Sequence, residues 1–315
     1  LGDYWAITGP IPSRQGGTNF MTKNAAMLLI LFGGSCMSFV GLMMRLLETT
    51  DGPLILFYRS IGLVLIVGTV ACLRRRTSPA AFLTSLDRTD ALIGLALGIA
   101  FVTYVFAMLM TSVASTLFLL TISPFLAAII GWVWIGEKPH AFTWWAMVAA
   151  LIGVGVMLGD GWEVGRTTGN LVALVSALSF AVMLVLARRS KRDDVLGGTF
   201  CGGLFAGGMG AVAALTVGDG LAISPHDLGL TLFMGAFTIG IGIAFVTWGT
   251  SYVPAAEVSL LVLIESVLGP VWPWLFLGEA MSRLEIIGGA VVMTAVALLA
   301  LTSRDTGGHG SQKNG

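Results

Sequence analysis

Apolar residues run along this chain in blocks of about twenty, the length that crosses a hydrocarbon core about 30 Å thick. Short polar or charged clusters separate the blocks, which fall at 25–47, 53–73, 90–110, 113–135, 141–159, 168–187, 197–217, 228–250, 255–277 and 282–302. Some edges are sharp: Asp51-Gly52-Pro53 opens the second block and Arg74-Arg75-Arg76 closes it. The loop between the third and fourth blocks is nearly absent. The pattern predicts an all-α integral membrane protein with ten transmembrane helices.

One block occurs twice. Ala114–Glu137 (ASTLFLLTISPFLAAIIGWVWIGE) aligns without a gap on Ala256–Glu279 (AEVSLLVLIESVLGPVWPWLFLGE), 142 residues later, and both copies end in Gly-Glu. A weaker echo pairs Ser38-Phe39 with Ser179-Phe180 in the first span of each half. The duplicated unit is therefore expected to be five helices, with halves at 25–159 and 168–302, a cytoplasmic N-terminal segment at 1–24, and a disordered cytoplasmic tail at 303–315. The chain opens with Leu, and Met21 begins the membrane-like sequence, so residues 1–20 are given no functional weight.

Composition agrees with a bilayer setting. Apolar residues make up 56% of the chain and charged residues 11%, with a mean hydropathy of +0.90. So few charges cannot coat a soluble globule. A net charge of +0 argues against nucleic acid as a partner. The cysteines Cys36, Cys72 and Cys201 lie inside apolar runs, with neither metal-ligand spacing nor a disulfide framework, and read as small core residues. No cofactor or metal is expected.

Lysine and arginine set the orientation. With the N-terminus inside, the cytoplasmic segments hold Arg14, Lys23, Arg74, Arg75, Arg76, Arg88, Lys138, Arg188, Arg189, Lys191, Arg192, Arg304 and Lys313, against Arg45, Arg166 and Arg283 outside. Both termini are thus expected to be cytoplasmic. Five spans per half is an odd number, so the halves run antiparallel, as inverted repeats that place a substrate site near mid-membrane.

Two five-span halves, an arginine early in the second span (Pro53-x5-Arg59), and a Gly-Glu ending to the fourth span of each half carry a resemblance over residues 25–302. The chain resembles drug/metabolite transporter superfamily members of the EamA type. The resemblance implies a transporter in a bacterial inner (plasma) membrane. One departure bears on geometry. The ninth span has Glu265-Ser266 and delays its prolines to Pro270 and Pro273, where members often place Pro directly after that Glu, so its helix break is expected about a turn deeper.

Charges inside a bilayer are costly and mark function by default. Arg59, Glu257 and Glu265 are the candidates. At about 1.5 Å per residue, Arg59 lies about 9 Å below the outer boundary and Glu265 about 15 Å above the inner one. Their axial offset is about 6 Å, within reach of an arginine. Glu257 is shallower and can instead snorkel to water. In register, Glu265 faces Ser123, Glu257 faces Ser115 and Arg59 falls roughly on Gly202, so the scaffold is duplicated and the charges are not. Glu265 reads as a contact for a substrate amine or a proton. Arg59 reads as a substrate contact or as an anchor for its own helix; the resemblance implies that it does not select the substrate. Tyr104 and Trp248 are aromatic candidates for the cavity, whereas Trp272 and Trp274 read as interfacial belt residues. Gly94-x3-Gly98 and Gly203-x3-Gly207 fit close helix contacts.

The expected function is secondary active or facilitative transport of a small polar or amphipathic, amino-acid-like metabolite, by alternating access about a central site. Partners are the bilayer, the substrate and a proton as coupling ion, in a monomer or homodimer. An intramembrane enzyme would need a nucleophile–base pair or a metal cluster, and His140, His226 and His309 all fall in loops or the tail. A channel would need a filter segment, and none is visible.

Overall fold

The computed structural model describes residues 21–49, 51–111, 113–158, 167–190, 195–218, 220–278 and 283–305. Residues 1–20, Glu279 and residues 306–315 lie outside the described residues, and with them the expectations placed there. Every regular element among the described residues is helical.

The first span is α1 (Lys23–Met37) followed by α2 (Val40–Leu46), and the second is α3 (Gly52–Arg75). A short loop helix, α4 (Pro79–Thr84), precedes α5 (Arg88–Met110). The fourth span is split into α6 (Val113–Leu120) and α7 (Ser123–Ile135), and α8 (Ala141–Leu158) ends the first half. The second half holds α9 (Thr167–Ser190) and α10 (Leu196–Thr216). Its next span is α11 (Pro225–Phe233), a π-helical segment (Met234–Ile241) and α12 (Gly242–Gly249). The ninth span is α13 (Ala255–Val262) and α14 (Ile264–Leu277), and α15 (Arg283–Asp305) is the last helix. α15 therefore continues through Asp305, three residues beyond the expected end of the tenth span at 302.

Among the described residues, eight helical stretches are long and apolar enough to cross a membrane. The expected fifth and tenth spans coincide with shorter apolar stretches, Ala141–Val156 and Ile286–Leu301.

Local chemistry explains the sharp boundaries. Asp51 caps α3 by accepting from the Leu54 amide at 3.1 Å, with Pro53 in the first turn where its missing N–H costs nothing. Asp87 and Asp90 form a reciprocal capping box at the start of α5. The glycine of each Gly-Glu ending has the same task. Gly136 closes α7 with φ +72° and Gly278 closes α14 with φ +68°, a left-handed conformation that glycine adopts without a Cβ penalty.

The halves interleave. α5 packs on α9 and α10, α3 packs on α10, and α8 pairs with α15. Gly94 and Gly98 let α5 approach α10 so closely that a Cβ would meet Cys201 or Phe205, as expected for small-residue contacts. α3 also meets α11 and the π segment backbone to backbone: a Cβ on Gly62 would collide with the Leu232 carbonyl of α11 and crowd the Ala236 nitrogen of the π segment, and one on Gly235 would collide with the Arg59 carbonyl. Cys36 is buried, while Cys72 and Cys201 are partly so.

Candidate functional site

Helix geometry is interrupted at matching places in the two copies of the repeat. In the fourth span the Thr121 amide donates to the Phe118 carbonyl at 3.0 Å; in the ninth, the Leu263 amide donates to the Leu260 carbonyl at 3.1 Å. Both are tightened i→i−3 bonds, and the positions correspond under the 142-residue offset of the repeat. The ninth-span break therefore does not sit a turn deeper. α14 begins directly after Leu263 and runs through Pro270 and Pro273. The reason is the Ser266 amide. It donates to the Leu263 carbonyl at 3.0 Å, an i→i−3 bond at the position where the first copy has Pro124, whose nitrogen has no hydrogen to donate, so the turn tightens here without a proline.

The first span breaks at Ser38-Phe39, where the Phe39 amide donates to Cys36 at 3.3 Å. Its echo Ser179-Phe180 lies inside the continuous helix α9. Trp272 secures the first-span break. Its Nε1 donates to Ser38 Oγ at 2.7 Å, and its ring stacks on Phe39 with centroids 4.0 Å apart. The expectation that Trp272 belongs to an interfacial belt is thus corrected; Trp274, about half exposed, has the outward setting.

These interruptions converge on one cavity of about 120 Å³. Met37 and Val40 flank the first break, Leu120 and Ser123 the second, Val262, Leu263 and Glu265 the third, and Ile239 comes from the π segment. Arg59 of α3, Ala100, Phe101 and Tyr104 of α5, Ser176 and Phe180 of α9, and Ser259 and Ser266 complete the lining. Unpaired backbone is tolerated at membrane depth only where protein or a cavity surrounds it. That rule is met here.

Arg59, Tyr104 and Glu265 are brought together in the lining of this one cavity. Arg59 is 4% exposed, with its guanidinium carbon 5.5 Å from the Phe101 ring centroid. Its Nη2 has no hydrogen-bond partner, and no ion pair joins Arg59 to Glu265 among the described residues. Ser123 Oγ and Ser259 Oγ are 2.9 Å apart, and Ser176 Oγ donates to the Ala100 carbonyl at 2.9 Å.

Glu257 and Trp248 do not reach the cavity. Lys23 Nζ lies 3.0 Å from Glu257 Oε2, tying the start of α1 to the start of α13. The Arg74 guanidinium sits 4.0 Å over the Trp248 ring, at the end of α3. Residue counting gave their depth but not the side of the helix from which they project. Phe180, Ser123 and Ser259 were missed as lining residues. The signal for Ser123 was present, since it is the register counterpart of Glu265.

Contacts joining the halves lie at both ends of the bundle. At one end, beside Lys23–Glu257, Arg188 Nε donates to Glu137 Oε1 at 2.7 Å, and its Nη1 donates to the Ser251 carbonyl at 2.5 Å. At the other end, Asp227 accepts from the Glu48 and Thr49 amides at 3.0 and 2.9 Å, and Tyr58 Oη donates to the Leu221 carbonyl at 2.7 Å.

The EamA-like transporter family matches this sequence twice, over residues 24–159 and 167–301. An uncharacterized transporter of Archaeoglobus fulgidus is 28% identical over 227 residues, which are 67% of this chain and 76% of the relative. A probable terminal-alkyne amino-acid exporter of Streptantibioticus cattleyicolor is 34% identical over 84 residues, 27% of either chain. A crystal structure 18% identical to this chain superposes with a TM-score of 0.75, covering 90% of this chain and 100% of its own, a likeness of fold.

Proposed function

The chain belongs to the EamA-like transporter family, and we propose that it is a carrier for a small amino-acid-like metabolite, bound in the cavity between the two halves. The observation that carries this reading is the convergence of three helix breaks and a π segment on one cavity holding Arg59, Tyr104 and Glu265. Discontinuous helices at a repeat interface are how secondary carriers build central sites. A cavity of about 120 Å³ falls below the roughly 300–1,000 Å³ of drug-sized pockets and suits a small metabolite. The relative named as an amino-acid exporter supports the substrate class.

The halves are inverted repeats, with both termini cytoplasmic in a plasma membrane. Transport proceeds by rocking one half against the other. Opening toward the cytoplasm then requires parting Lys23 from Glu257 and Arg188 from Glu137 while Asp227 keeps its backbone amides. Opening outward requires the reverse. The chain acts as a carrier rather than an enzyme, and Glu265 is the group open to a coupling proton.

Counterflow in proteoliposomes tests the reading. Vesicles loaded with unlabelled amino acids should accumulate labelled amino acid transiently and saturably. Linear flux without counterflow would mean a pore. Flux unchanged in both Glu265→Gln and Arg59→Ala would remove these residues from the site.

A further inference from the structure

Arg59 is buried, faces the cavity and leaves its Nη2 without a partner. A desolvated guanidinium with free donors is a strong demand for an anion, and its planar fork matches a carboxylate in two parallel bonds. Glu265 lines the same cavity from α14. Both side chains line one cavity, yet no ion pair joins them among the described residues. A structural pair would close, because leaving opposite charges apart in a low-dielectric space forfeits the attraction that offsets their desolvation. An open pair facing a cavity is complementary to a ligand bearing both charges.

We infer that this cavity recognises the two ends of a zwitterion separately, Arg59 taking the carboxylate and Glu265 the ammonium of a small α-amino acid. The inference rests on the carrier reading and adds polarity to it. Met37, Val40, Ile239 and Val262 offer an apolar patch for a short aliphatic side chain. Because Ser123 stands where the first copy would carry the counterpart of Glu265, the ammonium has one seat, and the ligand sits in one orientation despite the repeat.

The test compares three probes of similar shape on purified protein by equilibrium binding: L-leucine, 4-methylpentanoate (no amine) and 3-methylbutylamine (no carboxylate). Leucine should bind at least tenfold more tightly than either single-charge analogue. Glu265→Gln should erase the preference for leucine over 4-methylpentanoate while keeping the preference over the amine. Arg59→Lys, which keeps the charge and loses the fork, should weaken leucine tenfold or more and leave 3-methylbutylamine unchanged. An analogue that matches leucine on the unaltered protein overturns the inference. So does absence of leucine binding, or discrimination unchanged in Glu265→Gln. Vesicle counterflow of whichever probe binds separates the two readings. Saturable flux of a single-charge probe without leucine overturns the zwitterion and leaves the carrier; tight leucine binding without saturable flux overturns the carrier alone.

Discussion

Ser123 Oγ lies 2.9 Å from Ser259 Oγ, a hydrogen bond that joins α7 of the first half to α13 of the second. Both hydroxyls are buried. Removing one leaves the other without its partner, whereas removing both leaves no unmet polar group. Each single Ser→Ala variant should cost about 1 kcal/mol, and the double variant less than their sum. Thermal unfolding of the four proteins in one detergent checks this.

Glu137 and Arg188 make unequal contributions to the same end of the bundle. Their ion pair is partly exposed, at 30% and 22% for the side chains, so Glu137→Gln should cost only about 0.2–1 kcal/mol and less at high salt. Arg188→Gln loses that pair and also the bond to the Ser251 carbonyl, and should cost about 1–3 kcal/mol, with the part beyond the ion pair insensitive to salt. Unfolding midpoints at low and high ionic strength distinguish the two.

Trp248→Leu should leave substrate affinity within about twofold, since Trp248 packs under Arg74 and lies outside the cavity. Glu257→Gln should likewise spare affinity and lower the unfolding temperature, because it strands Lys23. A tenfold loss of affinity in either variant would return that residue to the site. Binding measured beside unfolding is the check.

Trp272→Phe keeps the ring on Phe39 and loses the bond to Ser38 Oγ, at an expected cost of about 1 kcal/mol. Trp272→Ala removes the stack as well and should cost about 3 kcal/mol or more. Comparing the two by thermal unfolding apportions the hold on the first-span break.

Much of this was legible in the chain itself. Arg59 and Glu265 stand out because charges are rare in lipid, and residue counting placed them at nearly one depth. Counting also found the duplicated scaffold, including the paired glycines that close α7 and α14. Depth alone does not say which way a side chain points, and that is why Trp248 reads as a cavity candidate although it packs under Arg74, while the shallow Glu257 reaches Lys23 instead. The breaks were hidden for another reason. Thr121-Ile122 and Leu263 sit in unbroken apolar runs, where exchanging an i→i−4 bond for an i→i−3 bond leaves no trace in hydropathy. The prolines that should have marked the ninth-span break lie beyond it, inside α14.

The two walls that hold the charges differ in stiffness. Around Arg59, Gly62 and Gly235 bring α3 and the π segment into backbone contact, with no side chain between them to give way. Gly235→Ala should therefore cost about 1–3 kcal/mol or more and displace the guanidinium, read as lost affinity alongside lost stability. Glu265 instead stands two residues beyond a break, on a helix whose two internal prolines each forgo a backbone bond. Under the carrier reading proposed above, retuning this protein for larger cargo starts from the α14 side and leaves the arginine as a fixed post.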